Sequence, residues 1–351
     1  MEISIGNRKI GPGHPCFIIA EMSANHLQNF DLAVKIIREA AKCGADAIKL
    51  QTFTPDTLTI DCDRDCFTIS QGTVWDGRTL YDLYSEACSP WEWQPELKKI
   101  AEEEGLVCFS TPYDQTAVEF LEKMNVPAYK VASFEILDVP LIECVASKNK
   151  PVIISTGIST ISEIAEAVAT CRNAGNNDII LLKCTSAYPA PPDEINLKTI
   201  KNLAETFGVI AGLSDHTAGI SVPVGAVALG ACVIEKHFTL SRDNGGPDAG
   251  FSLEPDEFNR MVKSIREVEK AIGSVTYELS ATSKRNRAFA RSLFAVRDIP
   301  AGETLSSQNI RSIRPGFGLP PKYLKQLIGK KSSKMILRGT PLSWDMVERS
   351  E

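Results

Sequence analysis

The chain carries four histidines, and two of them, His216 in Gly-Leu-Ser-Asp-His-Thr and His237 in Val-Ile-Glu-Lys-His-Phe-Thr, each follow a short apolar run. Two imidazoles at neighbouring strand ends form a donor set for a divalent metal. Neutral nitrogen ligands leave the ion its full charge and keep positions open for water or a substrate oxygen, so such an ion polarises a carbonyl. The alternative for the pair is two hydrogen-bonded histidines on a pocket rim. His14 lies in a Gly/Pro turn and His26 in Ser-Ala-Asn-His. Lys49, Lys130 and Lys236 sit inside β-rich runs, with Thr111, Ser133, Ser155 and Ser214 close to the ends of such runs. A lysine placed this way either forms a Schiff base with a carbonyl or neutralises a phosphate or carboxylate, and hydroxyls beside several lysines favour the anion. For any one of them the alternative is a structural ion pair. Period-two alternation puts Ser214 with His216 on one face, and Glu235 with His237 on one face of the next strand. It turns Lys236 the other way, toward the covering helices, so Lys236 is set aside as a site residue.

These groups need elements to position them. The first 275 residues alternate short β-rich runs with amphipathic segments, which is the pattern of repeated βα units. Eight strands are expected, at 17–20, 47–50, 107–109, 128–131, 152–154, 179–182, 209–212 and 233–235. Helices are expected at 30–43, 91–105, 117–124, 161–174 and 256–272, the second opened by a Ser89 N-cap, Pro90 and Glu92. Nearly every run hands over to polar side chains as it ends: Glu21, Gln51, Thr111, Glu135, Thr156, Ser186, His216 and His237. Chemistry at the carboxyl ends of eight parallel strands predicts a (β/α)8 TIM barrel. A doubly wound open sheet is the alternative, and the absence of Gly-x-Gly-x-x-Gly after the first run argues against it. The connection from Gln51 to Trp91 is far longer than an ordinary βα loop, and its Trp75, Tyr81 and Tyr84 predict an ordered pocket wall or lid. The Gly-rich stretch 242–248 belongs at the same mouth.

A chain of 351 residues, 43% hydrophobic, holds a large core and exceeds one average domain. Residues 281–351 carry 14 Lys and Arg against 5 Asp and Glu, a net of +9, whereas the rest carries 24 against 39, a net of −15. Two modules follow: a catalytic barrel over 1–275, a linker over 276–287 and a small β-rich module over 288–351. In the small module, the segment from Ile299 through Gly302 to Leu305 is echoed by Ile336, Gly339 and Leu342 at an offset of 37. The basic tail lacks interleaved aromatics and a recognition helix, so no nucleic-acid partner is expected. No run reaches the roughly 20 apolar residues that span a bilayer. The ten cysteines are scattered, several in apolar runs, as in reducing compartments. A cytoplasmic protein with no membrane partner is therefore expected.

The segments Ile-Ala-Glu21-Met-Ser-Ala-Asn25-His26, Ile-Lys49-Leu-Gln51-Thr, Ser-Thr111-Pro-Tyr, Tyr-Lys130-Val-Ala-Ser133-Phe-Glu135, Ile-Ser155-Thr-Gly, Cys-Thr-Ser186-Ala-Tyr188-Pro, Leu-Ser214-Asp-His216 and Glu-Lys-His237-Phe resemble, over essentially the whole chain, the sialic acid synthase family. That family condenses phosphoenolpyruvate with an N-acetylated sugar. The tail around Ile313-Arg314-Pro315-Gly316 resembles its antifreeze-protein-like (SAF) domain. Gly-Thr-Val-Trp75-Asp76-Gly77 and Gly-Gly-Pro247-Asp248-Ala-Gly-Phe-Ser-Leu-Glu254, with Ser186 where neuraminate enzymes have Asn, resemble the branch that uses the pseudaminate precursor, a 2,4-diacetamido-2,4,6-trideoxy hexose.

The resemblance implies that His216 and His237 hold a divalent cation, Mn2+ with Mg2+ or Co2+ tolerated. It implies that Lys49, Thr111, Lys130, Ser133, Ser155, Ser186 and Ser214 bind phosphoenolpyruvate. Trp75, Tyr188, Asp248 and Arg314 are expected around the sugar, with Arg314 supplied by the partner of a domain-exchanged homodimer. Glu21, Glu135 and Asp248 are expected to move protons or hold sugar hydroxyls. The alternatives are an N-acetylneuraminate or legionaminate synthase, a Schiff-base aldolase on the same barrel, and a non-catalytic sugar- or ice-binding protein.

Overall fold

A computed structural model describes residues 1–348. They divide into two units, Met1–Gly273 and Ser274–Glu351, the second described as far as residue 348. The first is a closed barrel of eight parallel strands, preceded by a short hairpin, Ile3–Ile5 with Arg8–Ile10, that period reading did not foresee. The barrel strands are β1 (Phe17–Glu21), β2 (Ala47–Thr52), β3 (Val107–Pro112), β4 (Tyr129–Val131), β5 (Val152–Ser155), β6 (Ile179–Cys184), β7 (Ile210–Asp215) and β8 (Val233–His237). They pair in sequence order, and β8 closes on β1. Their apolar residues are buried on both faces, as in parallel strands enclosed by helices, which is why each reads as a near-continuous run of Ile, Val and Leu.

Several strands run two or three residues further than the sequence reading places them. The extra residues, such as Gln51, Thr111, Cys184, Asp215 and His237, are polar or sulfur-bearing, and ladder hydrogen bonds carry the strand past the end of the hydrophobic signal. Gly212 marks a close approach: a Cβ there would come within 2.3 Å of the Val233 carbonyl, so only glycine lets β7 lie against β8 at this register.

Helices Phe30–Lys42, Gln115–Lys123, Ile161–Asn173 and Pro255–Ile272 fall where amphipathic spacing predicts them. Thr160 and Glu163 cap the third reciprocally, and Asn29 accepts the Leu32 amide at the start of the first. Helices Leu80–Ala87, Val139–Ala146, Lys198–Phe207 and Ser221–Ala228 add to those expected. The Ser89 cap is corrected. Residues Trp91–Trp93 form a 3-10 turn without a side-chain cap, the α-helix begins at Gln94, and the Ser89 hydroxyl instead meets His26 Nε2 at 2.8 Å. With Gln28 N–H donating to its Nδ1 at 3.1 Å, both ring nitrogens of buried His26 are used structurally.

The second unit has its own core of Leu293, Ile299, Leu305, Ile310, Ile336 and Leu342. Its strands Ser292–Ala295 and Ile310–Ile313 are antiparallel. The two echoed segments pair with each other through an antiparallel bridge between Ile299 and Ile336, and Gly302 and Gly339 both take positive φ, 80° and 85°. The stretch read as a linker contains a helix, Ala281–Asn286, opened by Ser280 accepting the Ser283 amide. Arg314 and Phe317 are both exposed within this unit.

Candidate active site

The carboxyl ends of the strands enclose a cavity of about 430 Å³. Lys49 projects from β2 into its floor, with Nζ 3.1 Å from Glu21 Oε2, 3.3 Å from Glu235 Oε1 and 3.4 Å from Thr111 Oγ1. Lys130 on β4 donates to Ser155 Oγ at 2.7 Å and stands 3.9 Å from the same Glu235 oxygen, which also accepts from Ser214 Oγ at 3.0 Å. All four charged groups are buried. Burial pulls Lys49 down, but Glu21 and Glu235 outweigh it and hold its ammonium above the usual range. Burial lowers Lys130 to about 8 even with Glu235 beside it. Glu21 is pushed up to about 7 by burial despite Lys49, whereas Lys130 and Lys49 together overcome burial and keep Glu235 below the ordinary carboxylate value. Two cations thus share a poorly solvated floor with the ionised Glu235, and their remaining ammonium donors are available to an anion in the cavity.

A cradle of hydroxyls flanks this floor. Ser133 Oγ accepts the Gly157 amide at 2.9 Å, and Ser186 Oγ is buried without a hydrogen-bond partner. A Cβ on Gly157 would lie 2.2 Å from Ser186 Oγ and 2.7 Å from Ser133 Oγ, so the glycine keeps this space open.

His216 and His237 face each other with ring centroids 5.3 Å apart. His216 Nδ1 meets the Thr185 carbonyl at 3.1 Å, which makes Nδ1 the donor and leaves the lone pair on Nε2. Burial first, then His216, holds His237 well below the ordinary imidazole range, so it stays neutral, and its buried Nδ1 has no partner. Among the described residues no cluster of three or more His, Cys, Asp or Glu side chains could hold a metal. A pair of facing imidazoles, one neutral with an orphaned nitrogen and the other with its Nε2 turned from the Thr185 contact, fits a divalent ion that takes its remaining ligands from water and substrate.

As the alternation predicts, Lys236 points away from the cavity. Its Nζ lies 2.6 Å from Asp215 Oδ2 in a fully buried pair, and it donates to the Thr217 carbonyl. Lys236 and Asp215 are direct register partners, so the pair ties β7 to β8 one residue before each histidine.

Above the imidazoles stands an aromatic wall. Tyr188 packs on His216 at 4.5 Å and on Trp75 at 5.4 Å, and Phe251 packs on His237 at 4.9 Å. Trp75 Nε1 donates to the Pro247 carbonyl at 3.0 Å, fastening the long connection to the 242–248 stretch. Asp76 secures that connection by accepting both the Gly72 and Thr73 amides at 2.8 Å. The long segment is therefore the ordered wall its aromatics predicted, although Tyr81 contributes by reaching Asp56 at 3.3 Å and does not line the cavity.

Of the residues expected at the site, Glu21, Lys49, Trp75, Lys130, Ser133, Glu135, Ser155, Tyr188, Ser214, His216, His237 and Asp248 line this one cavity. Thr111 and Ser186 do not. Thr111 supports Lys49 from behind, and Ser186 abuts Gly157. Arg314 belongs to the second unit. Sequence reading put Glu235 on the same strand face as His237 but gave it no role in the site. It missed Ser23, which donates to Asp248 and accepts from Gln51 Nε2 at 2.9 Å, while the same Gln51 nitrogen donates to Glu21 at 3.0 Å. Ser23 adopts φ 45°, an uncommon conformation for a non-glycine residue that composition does not reveal.

A barrel with buried lysines and an imidazole pair at its mouth is the site of a carbonyl-handling enzyme, and comparison with known proteins gives its family. The NeuB family model matches residues 36–277, and the SAF domain model matches residues 290–348. The chain belongs to the NeuB family, the sialic acid synthases, and is a phosphoenolpyruvate-dependent C–C bond-forming synthase. It is 48% identical over 326 residues to the pseudaminic acid synthase of Campylobacter jejuni, covering 93% of this chain and 95% of that one. It is 45% identical over 337 residues to the pseudaminic acid synthase of Helicobacter pylori, covering 96% and 99%. Among solved structures, the N-acetylneuraminic acid synthetase of Leptospira borgpetersenii in complex with citrate matches with a TM-score of 0.72 at 32% identity, covering 82% of this chain and 95% of that one.

Proposed function

We propose that the chain joins phosphoenolpyruvate to 2,4-diacetamido-2,4,6-trideoxy-L-altrose, giving pseudaminic acid and phosphate for surface-glycan or flagellin modification. The carrying observation is the pairing of two buried ammonium groups, Lys49 and Lys130, with two facing imidazoles beneath an apolar aromatic wall. The 45% and 48% identities to pseudaminic acid synthases, over nearly whole chains, support this acceptor over N-acetylmannosamine or the legionaminate precursor.

Lys49 and Lys130 would neutralise the phosphate and carboxylate of phosphoenolpyruvate, with Ser133, Ser155 and Ser214 donating to its oxygens, Thr111 bracing Lys49 and Ser186 set back beside Gly157. His216 and His237 would hold a divalent cation, Mn2+ with Mg2+ or Co2+ as substitutes, and when bound it polarises the sugar aldehyde. The methylene carbon of phosphoenolpyruvate attacks the aldehyde carbon, and the aldehyde oxygen takes up a proton. Water adds to the adjacent cationic carbon, and the bridging C–O bond then breaks to release phosphate. Burial pushes both Glu21 and Glu135 up to about 7, so each is poised to give or take these protons at neutral pH. Asp248, fixed by Ser23, holds a sugar hydroxyl, and Trp75 and Tyr188 shield the acceptor from water.

Assembly is a proposal too. The second unit carries an excess of positive charge and exposes Arg314, and in a domain-exchanged homodimer Arg314 would complete the partner's site by orienting an acetamido carbonyl. Among the described residues no helix is long and apolar enough to cross a membrane, and the cytoplasm, where phosphoenolpyruvate is made, is the proposed compartment.

The test is a panel. The protein with Mn2+ and phosphoenolpyruvate should release phosphate and form a product of the expected mass with the diacetamido sugar. Turnover with N-acetylmannosamine alone would overturn the acceptor. Borohydride trapping of a pyruvate adduct on Lys49 or Lys130 would instead support an aldolase.

A further inference from the structure

The segment that follows β1 is bent in a way its residues do not favour. Ser23 takes φ 45°, Leu27 48° and Gln28 53°. Elsewhere among the described residues, the non-glycine positions with positive φ are Asn125, Asn149 and Asn196, and asparagine tolerates that region. Serine, leucine and glutamine do not, so the bends point to contacts that their side chains make. Leu27 packs on Gly246, where a Cβ would come within 2.5 Å of Leu27 Cδ2. Gln28 Nε2 donates to the Glu86 carbonyl at 3.0 Å and to that of Cys88. Ser23 is buried, lines the cavity and reaches Asp248.

The hydrogen bonds around Ser23 run in one direction. Gln51 Nε2 gives one hydrogen to Glu21 Oε1 at 3.0 Å and the other to Ser23 Oγ at 2.9 Å. With that lone pair taken, the Ser23 hydroxyl gives its own hydrogen to Asp248 Oδ2. The main chain at Asp248 is held separately. Ser252 Oγ donates to the Asp248 carbonyl at 2.6 Å, and Asn25 Nδ2 donates to Ser252 Oγ at 2.9 Å and to the Phe238 carbonyl at 3.0 Å. Removing the Ser23 hydroxyl therefore leaves this loop anchored, and the Asp248 side chain keeps the Ala24 amide as a donor. One donor does not fix the rotation of a carboxylate, so Asp248 loses the single direction in which it accepts from a sugar hydroxyl.

We infer that Ser23 is a positioning residue for the acceptor sugar: its strained backbone places a hydroxyl, aimed by Gln51, where it holds the Asp248 side chain in the orientation that binds the sugar. The inference rests on the role proposed above for Asp248. Ser23 acts through that carboxylate, because its one hydrogen is committed there. The bend works against stability and the hydroxyl works for binding, so the two contributions separate on substitution.

The test follows phosphate release and thermal melts in variants of the full chain, with Mn2+ and saturating phosphoenolpyruvate. Ser23→Ala and Ser23→Gly both lack the hydroxyl and should each lose about ten- to a hundredfold in kcat/KM for the diacetamido sugar, mainly through its KM. KM for phosphoenolpyruvate should hold. Ser23→Gly should nevertheless melt about 1–3 °C above Ser23→Ala, because glycine relieves the bend and alanine does not. The double variant Ser23→Ala/Asp248→Ala should match Asp248→Ala within about twofold, since no carboxylate is left to position. Additive losses in the double variant, a near-normal sugar KM in both Ser23 variants, or a glycine variant that melts no higher than the alanine one would overturn the inference. Wild-type turnover of a different sugar overturns the proposed acceptor alone, and the same variants then decide the role of Ser23 on that sugar. A wild-type chain that turns over no sugar removes both.

Discussion

Replacing His237 by alanine, or stripping divalent cations from the wild-type chain, is expected to cut condensation by roughly a thousandfold or more, since a Lewis acid supplies several kcal/mol and each ~1.4 kcal/mol is a decade of rate. The thermal unfolding midpoint should barely move. The histidine lies at the end of β8, its Nδ1 bonds nothing in the protein, and the buried strand pairing on both sides of β8 does not depend on it. His216→Ala should behave likewise, although it also releases the Thr185 carbonyl. Phosphate release with and without Mn2+, circular dichroism melts and calorimetric titration of Mn2+ together check the expectation. Full activity in thoroughly chelated protein, or global unfolding of the His237 variant, would contradict it.

Complementation offers the second large effect. Arg314→Ala and His237→Ala should each be inactive alone, and mixing them under conditions where subunits exchange should restore activity. Random reassortment makes about half of the dimers mixed, and in each mixed dimer one of two sites joins an intact barrel to an intact tail, so about a quarter of wild-type activity returns. The measurement is phosphate release after mixing, alongside mass spectrometry that confirms mixed dimers. Mixed dimers without activity would mean that Arg314 does not act on its partner's site.

Much of this architecture is readable before folding because parallel strands buried on both faces leave continuous runs of Ile, Val and Leu. The alternation that set Lys236 apart from Glu235 and His237 follows from strand geometry alone, and the buried Lys236–Asp215 pair is its outcome. Other features depend on tertiary partners. Ser89 has every local mark of a helix cap, yet His26, 63 residues away, takes its hydroxyl. Ser23 reaches Asp248 across 225 residues, and only the barrel's closure of β8 onto β1 brings their loops together. Thr111 and Ser186 carry the right chemistry at the right strand ends, but they sit one layer behind the cavity surface. The extra helices, such as Val139–Ala146 and Ser221–Ala228, are apolar with weak amphipathic contrast, so their periodicity is faint against the neighbouring strands.

The central claim is that carbon–carbon bond formation here is coupled to cleavage of the C–O bond of phosphoenolpyruvate, in a site built from Lys49, Lys130, His216 and His237. Phosphoenolpyruvate carrying heavy oxygen at the bridging position tests it directly. The wild-type chain should turn it over with the diacetamido sugar and place the label in the released phosphate, as mass spectrometry would show. Label retained in the sugar acid would mean cleavage of the P–O bond, and the chemistry assigned to this site would be wrong.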